Sequence, residues 1–179
     1  MLSKTDLRAL IKQRGHELTA EQRAKQSATI LNRLSHHPMF VQAHTILMFY
    51  SLPDEVDTHA FVRQWSCCKQ LLLPVVVDDE RLELRPYTSA NEIRTGAYNI
   101  GEPTSSTFHH LEQIDLIIVP GVAFDAQGHR LGRGKGYYDR LLILPQLKHT
   151  YKIGICLPHQ FMTNVPTNAH DVVMNEVMA

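Results

Sequence analysis

The chain has 179 residues, of which 44% are hydrophobic and 20% charged, enough for one compact domain with a buried core and too apolar for bulk disorder. Eighteen Lys and Arg balance eighteen Asp and Glu, so the formal net charge is zero, which excludes nucleic-acid or membrane-surface binding through a broad positive field. Electrostatic recognition, where it occurs, must be local.

Lys4 to Leu18 sets Leu7, Leu10 and Ile11 at helical spacing, with basic residues on the other side. The charges at Lys4, Asp6, Arg8, Lys12 and Arg14 leave no signal-peptide core, and a cytoplasmic location is expected. Thr19-Ala20-Glu21-Gln22 fits a capping box that opens a second helix, which Pro38 is expected to end. Thr45 to Tyr50 reads as a short buried strand, Thr58 to Ser66 as a helix and Gln70 to Val77 as another buried strand. The longest apolar runs, such as Leu71 to Val77, fall far short of the ~18 residues of a membrane span. Arg81 to Tyr87 alternates apolar and charged residues and reads as a half-exposed strand.

Asn91 to Phe108 reads as irregular. Ile114 to Val119 is the clearest interior strand, followed by a glycine-rich loop, a helix over Tyr137 to Leu144 and a strand over Tyr151 to Ile155. Buried strands alternating with helices predict an α/β layered fold around a largely parallel sheet. Ligand sites in such folds sit at the carboxyl ends of the strands, where the loop after Val119 lies.

That loop, Pro120 to Arg140, reads PGVAFDAQGHRLGRGKGYYDR. Gly128, Gly132, Gly134 and Gly136 let backbone N–H groups converge on an anion, and the following helix would add its positive end. Between Arg130 and Arg140 four Lys or Arg face one Asp, a local excess that suits phosphate. It is not a Walker A loop: His129 stands where the first glycine would, and Gly136 follows Lys135 in place of Ser or Thr. Tyr137 likewise breaks a dinucleotide fingerprint begun at Gly132. A solvated surface loop is the plain alternative.

The run Phe124-Asp125, Gly128 and Arg130-Leu131-Gly132-Arg133-Gly134-Lys135-Gly136-Tyr137-Tyr138-Asp139-Arg140 closely resembles the signature of the 5-formyltetrahydrofolate cyclo-ligase family. Lys4 and Arg8, Tyr50 with Glu55-Val56-Asp57-Thr58, Leu73-Pro74-Val75-Val76, Gly101-Glu102-Pro103 and His170-Asp171 match further family elements in order, so the resemblance spans nearly the whole chain. Members often carry Gly where this chain has Lys135.

The resemblance implies a single three-layer α/β/α domain over 1–179, around a largely parallel or mixed sheet, acting as a monomer. It implies an enzyme that converts 5-formyltetrahydrofolate and ATP to 5,10-methenyltetrahydrofolate, ADP and phosphate, through phosphorylation of the formyl oxygen and ring closure by N10. By match to the family, Lys4, Arg8, Gly132, Arg133, Gly134, Lys135, Gly136, Tyr137, Tyr138, Asp139 and Arg140 hold ATP. Tyr50, Glu55, Arg133, Gly134, Lys135, Gly136 and Tyr137 hold the folate, with Arg133, Lys135 and Tyr137 catalytic. Asp139 and Asp171 would bind Mg²⁺, which takes one or two carboxylates beside phosphate oxygens and water. Taken without the family, Lys4 and Arg8 read as a solvated helix face, Asp139 as a helix-dipole partner and Asp171 as a loop acid.

Two other readings stand beside this one: a paralogue using ATP on a different folate-like or acyl substrate, and a non-catalytic folate- or nucleotide-binding module. Cys67, Cys68 and Cys156 form no C-x-x-C and read as reduced thiols. The eleven His show no metal-ligand spacing; His129, inside the loop, is the one nearest the chemistry. Trp65, on a predicted helix, reads as structural.

Overall fold

The computed structural model describes residues 2–168 and 171–179; His170 of the C-terminal motif lies outside the described residues. Helix α1 (Lys4–His16) starts at a capping box in which Ser3 Oγ accepts from the Asp6 amide at 3.1 Å, and it buries Leu7 and Ile11. Helix α2 (Ala20–Ser35) starts at the expected Thr19–Gln22 box and buries Ile30, Leu31 and Leu34. Pro38 does not end it. Helix α2 has already stopped at Ser35, and Pro38 opens a short α3 (Pro38–Gln42), where a missing N–H and a fixed φ suit the first turn.

The central sheet runs β11-β9-β6-β1-β2-β3: β1 (Thr45–Leu47), β2 (Gln70–Val76), β3 (Leu82–Pro86), β6 (Leu116–Val119), β9 (Tyr151–Ile155) and β11 (Glu176–Met178). All neighbours pair in parallel except β2 and β3, which close one edge as an antiparallel pair. The sheet is therefore mixed but largely parallel. Alternate residues face opposite layers. Ile46, Leu71, Leu73, Ile118 and Ile153 pack on one side against α2, α3 and helix α4 (His59–Trp65), where Phe40 meets Trp65 edge-on at 5.0 Å. Leu47, Leu72, Ile117 and Val119 pack on the other side against Phe124, Met174, Leu147 and helix α5 (Tyr137–Leu142). The resulting three layers are the expected ones.

Three readings of the sequence need correction. Strand β1 spans three residues rather than six: its last bond to β2 is from the Met48 amide to the Leu72 carbonyl at 2.9 Å, and Phe49 and Tyr50 then line the cleft at the sheet's end. Pro74 tolerates the middle of β2 because β1 pairs only as far as Leu72, so no β1 partner requires its missing amide. The stretch 91–108 is not irregular throughout; β4 (Ile93–Thr95) and β5 (Gly101–Pro103) form a hairpin whose tip holds Tyr98 and Asn99 at φ 57° and 61°. Nor is Pro120 to Arg140 one loop. It contains a second hairpin, β7 (Ala123–Asp125) and β8 (Arg130–Leu131), joined by β10 (Phe161–Met162) into a small sheet that α1 covers through Leu7 and Ile11.

Asp125 organises that hairpin. Its Oδ1 accepts the amides of Gln127 and His129, each at 3.0 Å, and its Oδ2 accepts the Val165 amide and lies 2.9 Å from His129 Nδ1. His129 is thereby a structural partner. At the next layer Gly154 of β9 lets the Phe124 ring lie on the sheet: a Cβ there would stand 2.4 Å from the ring. Gly154→Ala is expected to lower stability by about 2 kcal/mol through overpacking, read by equilibrium urea denaturation; an unshifted midpoint would show that the ring moves aside without cost.

Candidate active site

The carboxyl ends of β1 and β2 and the turn before β7, with the β4–β5 hairpin and the segment from Gly132 to Asp139, enclose a cleft of about 420 Å³. Its walls are mostly apolar, formed by Phe49, Tyr50, Leu52, Pro74, Val76 and Ile100. Most of its exposed wall is apolar, with charged and tyrosine side chains set around it, an arrangement that suits an extended organic ligand oriented by hydrogen bonds.

Glu55 is the cleft's buried carboxylate, at 8% exposure. The turn after β1 fixes it: the Leu52 amide donates to Oε2 at 2.9 Å, and the Glu55 amide donates back to the Leu52 carbonyl. Arg133 reaches Oε1 with Nε at 3.2 Å and Nη2 at 3.0 Å, and the same Nη2 donates to Asp54 at 2.6 Å. Burial pushes the Glu55 carboxyl above its ordinary pKa, against the pull of Arg133 and the Leu52 amide. For Arg133 burial works against the charge, yet Asp54 and Glu55 together hold its pKa above the usual value. Asp54 carried no signal in the sequence beyond its place beside Glu55.

The anion loop proper is Gly132 to Gly136, with Gly134 and Gly136 at φ 102° and 71°. Arg8 of α1 tethers it, donating from Nε to the Gly132 carbonyl at 2.9 Å. A Cβ on Gly134 would make only an ordinary contact, 3.6 Å, with that guanidinium, so it is the positive φ that calls for glycine. Helix α5, opening at Gly136, has only six residues; its end contributes less positive potential than the sequence suggested.

The loop's charges divide into two sets. Arg130, buried, ion-pairs with Asp139 and lies 5.6 Å from the Tyr138 ring. Arg140 turns away from the cleft and donates to the carbonyls of Glu80 at 2.7 Å, Lys135 at 2.9 Å and Asp79 at 3.4 Å, clamping the loop to the β2–β3 turn. Removing the Arg140→Ala side chain is therefore expected to speed amide hydrogen exchange over 133–137 at least tenfold in the ligand-free protein, about 1.4 kcal/mol; unchanged exchange would show that the clamp holds nothing. Lys135 is exposed, 3.9 Å from Asp79 and 6.0 Å from the Tyr98 ring. Tyr137 donates to the Asp78 carbonyl at 2.9 Å, and Tyr98 beside it, then burial, push its pKa up to about 12, so it stays a neutral donor near pH 7.

Tyr98, Ile100 and Glu102 also line the cleft, and the Val76 amide donates to Glu102 at 3.0 Å. Tyr50 stacks on His59 at 4.0 Å. Tyr138 turns a buried hydroxyl inward that has no hydrogen-bond partner among the described residues, and burial raises its pKa.

On the α1 side of the loop Lys4 ion-pairs with Asp171 at 2.6 Å, and Asp171 also accepts the Asn168 amide at 2.7 Å. Burial opposes the Asp171 charge, but Lys4 and that amide outweigh it and lower the pKa. Asp139 and Asp171, the two acids matched to metal binding, thus each hold a cation, and the charge of Arg130 reaches both. No cluster of three or more His, Cys, Asp or Glu with metal-binding geometry occurs among the described residues, but Mg²⁺ beside phosphate needs no more than two carboxylates. A second cavity, about 480 Å³, opens between α1, the start of α2 and the Pro53–Asp54 turn, lined by Arg8, Lys12, His16, Arg23 and His159. Arg133 borders both cavities.

Fold and site together define a three-layer α/β protein with an apolar ligand cleft and a basic cavity on either side of a glycine-rich loop. More particularly, a model of the 5-formyltetrahydrofolate cyclo-ligase family matches residues 1–179, and the chain belongs to that family. It is 31% identical to the 5-formyltetrahydrofolate cyclo-ligase of Mus musculus over 98% of this chain and 93% of the mouse protein. It is 32% identical to that of Escherichia coli strain K12 over 94% of this chain and 96% of the bacterial protein. The solved structure of Aquifex aeolicus 5,10-methenyltetrahydrofolate synthetase superposes with a TM-score of 0.85 at 30% identity, covering 99% of this chain and 89% of that one.

Proposed function

We propose that this ligase of folate metabolism converts 5-formyltetrahydrofolate and ATP to 5,10-methenyltetrahydrofolate, ADP and phosphate. The observation that carries the reading is Arg133, bonded to a buried Glu55 and bordering both an apolar and a basic cavity. The apolar cleft suits the folate. Glu55 would accept the paired N–H groups of the pterin edge, with Tyr50 along the ring and Arg133, Gly134, Lys135, Gly136 and Tyr137 toward the formyl group. The α1 side suits the nucleotide, with Lys4, Arg8 and the amides of Gly132 to Gly136 about the phosphates, and with Tyr138 and Asp139, which wall the cleft, meeting them from that side. Arg140, matched to ATP by its motif, would serve that site through the clamp.

The formyl group on N5 is an amide and a poor electrophile, and N10 cannot expel hydroxide from it at a useful rate. Transfer of a phosphoryl group makes an O–P bond to the formyl oxygen and breaks the terminal O–P bond of ATP. N10 then forms a bond to the formyl carbon and loses its proton to water. The C–O bond breaks, and phosphate leaves with the former formyl oxygen. Such a transfer asks the protein for positioning and charge stabilisation, which Arg133 and Lys135 supply between the two ligands. Tyr137, protonated, would donate a hydrogen bond at the reacting end.

Asp139 and Asp171 would hold Mg²⁺, which would offset the negative charge of the phosphates; Lys4 and Arg130 would pass from carboxylate to phosphate. Asp139→Asn is expected to raise the Mg²⁺ concentration for half-maximal activity at least tenfold, and an unchanged titration would remove Asp139 from the metal. The chain would act as a single-domain monomer in the cytoplasm. No helix of the described residues is long and apolar enough to cross a membrane.

The test is growth of methenyl absorbance on mixing purified protein, ATP, Mg²⁺ and 5-formyltetrahydrofolate, with one ADP formed per methenyl product. ATP bound but not consumed would favour the binding module. ATP turnover only with another carbonyl compound would favour the paralogue.

A further inference from the structure

Cys67 and Cys68 lie at the opposite end of β2 from the cleft, on the turn between α4 and Gln70. Both are exposed, and their sulfurs stand 3.3 Å apart. The turn presets this closeness: the Ser66 amide donates to the Val62 carbonyl, and the amides of Cys68 and Lys69 both donate to the Trp65 carbonyl at 3.1 and 2.9 Å. Its base is anchored by Lys69, whose ammonium donates to the carbonyls of Val41 and Ala43 and lies over the Phe40 ring. Nothing in the proposed reaction uses these thiols, since seven strand residues at about 3.3 Å each separate them from Val76 in the cleft wall.

The geometry favours a two-sulfur chelate over the alternatives. The α-carbons of consecutive residues joined by a trans peptide stand about 3.8 Å apart, below the ~4.4 Å lower bound of ordinary disulfides, so direct oxidation of the pair is strained. A tetrahedral Zn²⁺ with Zn–S bonds of about 2.3 Å needs sulfurs about 3.8 Å apart and two further ligands. No third His, Cys, Asp or Glu completes such a set among the described residues. A soft centre that accepts two thiols and brings its own remaining substituent meets neither obstacle. The neighbouring Cys67, then burial, raise the pKa of Cys68, so its thiol stays protonated. A ligand whose own leaving groups carry away the thiol protons suits this pair.

We propose that Cys67 and Cys68 form a binding site for monosubstituted trivalent arsenicals, R–As(OH)₂. Each S–H proton leaves with one hydroxide as water, two As–O bonds are replaced by two As–S bonds, and arsenic stays trivalent, so no oxidant takes part. The probe is phenylarsine oxide, which hydrates to this form, added to the whole protein in a phosphine reductant and followed by intact-mass spectrometry and competition with a small dithiol. One adduct per chain is expected, removed by the competing dithiol. Cys67→Ser and Cys68→Ser should each weaken binding at least a hundredfold, the gain that a second linked contact confers, while Cys156→Ser leaves it unchanged. Absence of an adduct on the wild-type chain, or equal affinity in either single variant, would overturn the proposal.

Discussion

Arg133→Ala is expected to lower the turnover number about a hundredfold, or ~3 kcal/mol, the scale on which a lost charge donor affects a transition state. Two effects add. In the proposed reaction the phosphoryl group in transit would lose the cation between the two cavities, and Glu55 loses the partner whose charge favours its ionised form. Without Arg133 the Glu55 pKa rises further, so folate affinity in the variant should fall most steeply at low pH. Arg133→Lys is not expected to restore turnover. A point charge cannot reach Glu55 and Asp54 together as the planar guanidinium does through Nε and Nη2. Steady-state rates of methenyl formation at saturating ATP and folate check this. Near-wild-type turnover in the alanine variant would take Arg133 out of the reaction.

Asp125→Ala is expected to cost about 3 kcal/mol of stability at pH 7, because it removes the acceptor of three backbone amides, the buried Val165 amide among them, and of the His129 ring. Its pH dependence follows from the sign of the shift. Burial opposes the Asp125 charge, but the amides of Val165 and His129 and the His129 ring outweigh it, so the folded pKa lies below the ordinary value. The carboxylate therefore stabilises the fold fully above the unfolded pKa of about 3.9 and loses that contribution as pH falls through the lower folded pKa. Urea denaturation at pH 7 and at several pH values below about 3.9 should show the wild type weakening toward low pH and Asp125→Ala already weak and flatter there. Equal slopes in the two proteins would assign acid lability to another carboxylate.

These residues differ in how far sequence alone revealed them. The start of helix α2 was legible to the residue, because Thr19 and Gln22 interact within one turn. The central strands were legible because β6 and β2 are apolar on both faces. Pro38 misled because proline ends one helix and begins another by the same missing amide, and which of these happens depends on where α2 runs out of chain to pack. The hairpin β4–β5 was hidden: its tip places Tyr98 and Asn99, neither of them glycine, in the left-handed region.

The positive run from Arg130 to Arg140 was visible, but not its division. Arg130 is taken up by Asp139 and Arg140 by backbone carbonyls, which leaves Arg133 and Lys135 beside the cavities. Glu55 and Arg133 are 78 positions apart, so their pairing is a product of the folded sheet, and only the family motif marked both. The zero net charge is an average over this arrangement, in which most loop charges already have internal partners.

The central claim is that the formyl oxygen is the atom phosphorylated. It is tested most directly by a single turnover of 5-formyltetrahydrofolate carrying a heavy oxygen isotope in the formyl group, with unlabelled ATP and mass analysis of the released phosphate. The account predicts one labelled oxygen in each inorganic phosphate and none in ADP. Unlabelled phosphate, with the isotope found in water, would contradict it.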